Sequence, residues 1–205
     1  MPALGAVAGR VLALSAALAS VSAAADPGAA PEPTARDRPR LDPGAQVSAP
    51  VEHAIAVLQP TAGNAASGVV RLRDTAHGVA VDARVQGLAP GSRHAYHVHL
   101  LGDCSAADGT SAGTHFNFRG PSEQPPEDID RITGNLGELV AGDDGVATAS
   151  AMIRAARLHG TGNVIGRAVV VHAGPNDPAQ PPIGAAGSRI ACGVIGIARG
   201  VAAAP

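Results

Sequence analysis

The sequence predicts an all-β domain, a sandwich or barrel of about eight short antiparallel strands, and three observations carry that expectation. Short apolar runs recur along residues 51–198, and one of them, Val79-Ala80-Val81-Asp82-Ala83-Arg84-Val85, alternates at period two as a half-buried strand does. Turn signals fall between the runs, at Ala89-Pro90-Gly91, Asp143-Asp144-Gly145 and Gly174-Pro175-Asn176. The 26 glycines and 17 prolines favour many turns and few long helices.

Taken in order, residues 1–25 read as a signal peptide. Arg10 supplies a positive start, an apolar run follows from Val11 to Val21, and Ala23-Ala24-Ala25 suits cleavage. The run is too short to span a bilayer, and no Cys follows it to carry a lipid anchor. Residues 26–50 hold six prolines among small and charged residues and read as a disordered linker. The folded domain is expected over 51–199, with 200–205 as a tail. Its strands are expected at 51–58, 69–74, 79–85, 93–101, 139–141, 147–153, 167–172 and 191–198. Two stretches do not read as strands, 102–137 and 174–188, and loops of that length inside a compact domain usually carry function.

The aromatic residues are Phe116, Phe118 and Tyr96 alone, so a core must be built from Val, Ile, Leu and Ala. All 15 basic residues are Arg. Removing the leader takes one of these and none of the 17 acidic residues, which shifts the formal charge from -2 to −3. No basic patch argues for a nucleic-acid partner. Cys104 and Cys192 are the two cysteines. In an exported protein such a pair forms one disulfide, although two buried free thiols remain the alternative.

The sharpest chemical signal is His97-Val98-His99. Residues i and i+2 of a strand share a face, so two imidazoles can aim at one point. His115 lies in the first long stretch, and His172 ends a strand at the edge of the second. Four such nitrogens suit copper, and a tetragonal arrangement of them suits Cu(II).

The surrounding residues resemble the Cu/Zn superoxide dismutase family. Tyr96-His97-Val98-His99, Gly102-Asp103-Cys104 and Ser111-Ala112-Gly113-Thr114-His115-Phe116-Asn117 are similar to its copper loop. Ile165 to His172 and the run from Gly187 to Gly196 are similar to later motifs. The resemblance covers about residues 52–198, with the motifs in order. It implies a flattened Greek-key β-barrel, a copper site of His97, His99, His115 and His172, and a disulfide between Cys104 and Cys192. It also implies that Arg189 guides the superoxide anion and that His94 has a structural role beneath the copper strand.

The resemblance breaks at zinc. His115 would bridge the two metals, but residues 116–138 hold no histidine. Ile132 stands where a zinc histidine aligns, and Asn135 replaces the aspartate. No histidine lies at 119–122 either. Zinc favours about four ligands that include His or Cys. The loop offers instead Glu123, Glu127, Asp128 and Asp130, and a carboxylate-rich substitute is the less favoured reading. The pattern resembles the copper-only branch, with one copper per chain and zinc not expected. Glu127 or Asp128 is the expected partner of the second His115 nitrogen. Asn176-Asp177 reads as a remnant of a charged loop. His53, His77 and His159 read as surface histidines.

The implied activity is conversion of superoxide to O₂ and H₂O₂ by cycling copper between Cu(II) and Cu(I). His115 would release Cu(I) and carry a proton. The alternatives are a copper store or carrier of the same fold, and a domain that has lost its metal. Localisation is expected to be periplasmic or extracellular, and the oligomeric state stays open.

Overall fold

The computed structural model describes residues 50–118, 134–180 and 184–200. The leader, the linker through residue 49, the tail from 201, Ile132 and the carboxylates at 123, 127, 128 and 130 lie outside the described residues. Among those described, eight strands form and no helix is long and apolar enough to cross a membrane.

The strands are β1 (His53–Pro60), β2 (Ser67–Thr75), β3 (Gly78–Gln86), β4 (Arg93–His99), β5 (Asn135–Val140), β6 (Ala147–Ile153), β7 (Ala168–His172) and β8 (Arg189–Ile197). All pair antiparallel, in the order β5-β4-β7-β8-β1-β2-β3-β6. Only β1, β2 and β3 follow one another as a simple meander. β6 returns beside β3, β7 beside β4 and β8 beside β1, which is Greek-key connectivity in a nearly closed barrel. A bridge between Ala141 and Ala147 joins the far ends of β5 and β6.

The period-two reading of β3 holds. Val79, Val81, Ala83 and Val85 are buried, and Asp82, Arg84 and Gln86 are exposed. Their inward side chains meet Ala54, Ala56 and Leu58 of β1 and Val70 and Leu72 of β2 in one aliphatic core. The scarcity of aromatics is thus met by β-branched residues on the inner faces.

β4 and β7 differ, because both of their faces are covered. Tyr96, Val98, Val169 and Val171 point into the barrel core. On the opposite face, Ala168 and Val170 join Ala112 and Cys192 in a small second cluster, with Cys104 packed against it. The segment from Leu100 to His115 therefore lies over the outside of the sheet. A strand buried on both faces loses its polar alternation, which is why 168–171 reads as an unbroken apolar run.

One expectation needs correction. The strand foreseen at 139–141 begins at Asn135, so the first long loop ends at Gly134. Its pairing with β4 joins Tyr96 to Gly137 and His97 to Asn135. Asn and Gly are poor strand formers, and Gly137 sits at φ 120, so nothing local marks this stretch as β. Pairing with β4 decides it.

Candidate metal centre

Strand parity sets the site. His97 pairs with Val170 and His99 with Ala168, so both histidines share the outer face of β4 with the outer residues of β7. His172 follows Val170 by two and belongs to that same face. Register shifts fall between Tyr96 and His97 against β5, and between Val171 and His172 against β8. Such irregularities re-aim side chains beside sites. His115 is delivered by the covering loop, which extends the β4 ladder. Leu100 N–H donates to Thr114 O, Leu101 N–H to Ala112 O and Phe116 N–H to Val98 O, at 2.8, 3.0 and 2.8 Å. His99 and His115 thus stand opposite one another.

The four rings offer nitrogen atoms all within 4.8 Å of one another. The protons on two of them can be placed from carbonyl acceptors, which have no alternative role. His99 Nδ1 lies 2.9 Å from Gly113 O, and His172 Nδ1 lies 3.2 Å from Gly187 O. Each Nδ1 must carry the hydrogen, so each Nε2 is a bare lone pair. Those two Nε2 atoms lie 3.2 Å apart. Two lone pairs at that distance repel, and a cation that accepts both removes the conflict. In addition, Nδ1 of His97 and Nδ1 of His115 are buried and meet no hydrogen-bond partner among the described residues. Four neutral imidazoles in this arrangement fit copper.

Electrostatics agree with neutral rings. Burial is the main cause that pushes His97 down to about 2, with His115 and His172 adding to it. Burial likewise takes His99 and His115 to about 3, against a Gly113 bond that raises His99. His172 is lowered, again chiefly by burial. Metal ligation needs neutral imidazoles, and the site prepares them.

Arg189 stands beside these rings and lowers the protonation of His99, His115 and His172 through its charge. Its Nη1 donates to Gly109 O at 2.5 Å and its Nη2 to Gly113 O at 2.6 Å. Burial lowers the guanidinium itself and Asp108 opposes that, but an arginine stays charged. Cys104 and Cys192 form a disulfide that ties this loop to β8.

The remaining expectations are placed as follows. His94 is buried, with Nδ1 2.8 Å from His172 O and Nε2 2.7 Å from Ser92 Oγ, so it braces the site from behind. His77 and His159 are exposed and His53 is partly so; His159 faces Asp74 at 2.9 Å. Asn176 is more than a remnant. It is buried, and its Oδ1 lies 2.7 Å from His97 Nε2. The sequence held one hint of this, a polar pair between Pro175 and Pro178. The carbonyls of Gly113 and Gly187 gave no signal, because backbone acceptors have no residue type.

Residues 66–195 match the family described as copper/zinc superoxide dismutase (SODC). The chain is also similar to the protein named superoxide dismutase (Cu-Zn) 2 from Brassica juncea. The two are 42% identical over 123 residues, covering 57% of this chain and 80% of that relative.

Proposed function

Because the chain belongs to the copper/zinc superoxide dismutase family, we propose that it is an exported superoxide dismutase working with one copper and no zinc. The observation that carries the copper reading is the pair of bare Nε2 atoms of His99 and His172, 3.2 Å apart with their protons on the far sides. His97, His99, His172 and His115 are the ligands in this reading.

Copper supplies one-electron chemistry between Cu(II) and Cu(I), by which one superoxide leaves as O₂ and the next, with two protons, as H₂O₂. The chain's residues divide the rest. His99 and His172 are tied through Nδ1–H to carbonyl oxygens and His97 through Nε2 to Asn176. These three hold their positions. His115 is the one ring of the four for which the described residues provide no such tether, and in this reading it takes a proton and returns it. Arg189 places a positive charge beside the rings of a chain whose net charge is negative. A local cation at a site mouth concentrates an anionic substrate even against an unfavourable bulk field.

The absence of zinc rests on the residues around His115. Asn135 stands where the family resemblance places a zinc-binding aspartate. Its Oδ1 accepts Gly137 N–H and the Asn176 amide, at 2.9 and 3.2 Å. Export is supported by the leader-like start and by a disulfide, which persists in oxidising compartments.

Metal content after loading with excess copper and zinc, followed by dialysis and a turnover assay, tests the reading. One copper, no zinc and dismutation are expected. One equivalent of zinc would refute the copper-only part. Copper retained without turnover would leave a copper carrier.

A further inference from the structure

The proton on His97 can be placed by a chain of hydrogen bonds that begins at a group of fixed polarity. Gly137 N–H can only donate, and it does so to Asn135 Oδ1 at 2.9 Å. That oxygen is therefore the acceptor side of the Asn135 amide. It also faces the Asn176 side chain at 3.2 Å, so the group presented by Asn176 must be its Nδ2 donor. Asn176 Oδ1 is then the atom turned to His97, 2.7 Å from Nε2. An amide oxygen accepts, so His97 Nε2 carries the hydrogen. His97 Nδ1 is left as a bare lone pair, buried and without a hydrogen-bond partner among the described residues.

The relay is also anchored at its backbone. Asn176 N–H donates to Glu138 Oε1 at 3.0 Å, and Glu138 Oε2 is held by Arg93 Nη2 at 2.5 Å and Nε at 3.1 Å. Asn135 and Glu138 both belong to β5, which pairs directly with the β4 strand that bears His97. A rigid sheet edge therefore positions a residue from a distant loop, 79 positions from the histidine it meets.

We propose that Asn135 and Asn176 are positioning residues, a neutral amide relay that fixes His97 as the Nε2–H tautomer and turns Nδ1 toward the copper. The proposal rests on the copper-centre reading above and deepens it. Orientation of this ligand then needs neither a second metal nor a carboxylate. A partner that holds the far nitrogen of a metal-bound imidazole typically accounts for a 10–100-fold difference in metal affinity.

Two measurements test it. In the copper-free protein, long-range ¹H–¹⁵N correlation of the histidine rings should show the His97 hydrogen on Nε2. A hydrogen on Nδ1 would overturn the relay without any variant being made. In parallel, Asn176→Leu, Asn135→Leu and Asn135→Asp are compared with the parent for Cu(II) dissociation constant and EPR spectrum, with copper-free unfolding midpoints as the fold control. Asn176→Leu should weaken Cu(II) binding about 10–100-fold and give a heterogeneous spectrum. Asn135→Leu should do so less. Asn135→Asp, which still accepts both hydrogen bonds, should stay close to the parent. An unchanged dissociation constant and spectrum in Asn176→Leu would overturn the relay. Zinc retained by the parent protein would refute the copper-only reading and leave this result untouched, so the two failures are distinguishable.

Discussion

Arg189 and His99 share one acceptor. The carbonyl oxygen of Gly113 receives His99 Nδ1–H at 2.9 Å and Arg189 Nη2–H at 2.6 Å. One backbone position therefore sets both the angle of a proposed metal ligand and the place of the proposed anion guide. Gly113 is at φ 73, a conformation that side-chain-bearing residues rarely adopt. The cation cannot swing toward solvent without releasing two carbonyls.

The first prediction follows from that charge. Arg189→Glu should lower kcat/KM for superoxide about tenfold or more, within the range that focusing of substrate supplies. Its salt dependence should also reverse. Added salt slows the parent by screening an attraction, and should speed the variant by screening a repulsion. Stopped-flow turnover across ionic strength measures both. An unchanged rate would remove Arg189 from substrate guidance.

The disulfide gives the second. Cys104 and Cys192 are 88 residues apart, and closing a loop of that length contributes about 4–5 kcal/mol by restricting the unfolded chain. Cys104→Ser with Cys192→Ser should lose much of that in denaturant unfolding. The double variant should also bind copper less tightly, because the bond fastens the loop that carries Gly113. A stability loss with unaltered copper affinity would confine the disulfide to the fold.

Much of this arrangement was legible in the sequence, and the exceptions share a cause. Strand alternation shows in β3, and His97-Val98-His99 advertises itself because period two puts both rings on one face. The start of β5 was hidden because Asn135 and Gly137 take strand geometry only through pairing with β4. The contact of Asn176 with His97 links a loop to a strand across 79 positions, so no local period reports it. The Gly113 and Gly187 carbonyls hold His99 and His172 through backbone atoms, and residue identity says nothing of them. Short-range pattern reveals which groups are available, whereas their pairing comes from topology.

The third prediction concerns pH. Burial lowers His97 to about 2 and His99 and His115 to about 3, against an ordinary value near 6.5. Between those limits the unfolded chain binds protons that the folded, copper-free chain does not. Stability is then fully present above about pH 6.5 and falls progressively as the pH drops toward 3. The unfolding midpoint of the copper-free protein should decline already between about pH 6.5 and 5, above the ordinary range of carboxylates. Copper affinity of the folded protein should stay level over that interval and decline only as the pH nears 3, where protons begin to compete for the same nitrogens. A flat midpoint through that interval would contradict burial of neutral histidines.

The last concerns Arg167, which lies just before β7 and is not among the proposed ligands. Its guanidinium carbon sits 3.5 Å from the centre of the Phe116 ring, and its Nη1 donates to Leu100 O at 2.8 Å. A third contact runs from Nε to Asn163 O at 3.1 Å. Phe116 follows His115 and Leu100 follows His99, so one side chain clamps the segments that deliver two rings. Arg167→Ala removes a cation–π contact and charged hydrogen bonds, and should cost about 2 kcal/mol in copper-free unfolding. It should also weaken Cu(II) binding, because the His115 segment then loses one of the side-chain ties that supplement its backbone ladder to β4. Arg167→Lys keeps the charge but lacks the planar fork that stacks and donates at once. It should recover only part of either loss. If Arg167→Ala lowers stability while the Cu(II) dissociation constant stays at the parental value, the clamp serves the fold and does not position His115.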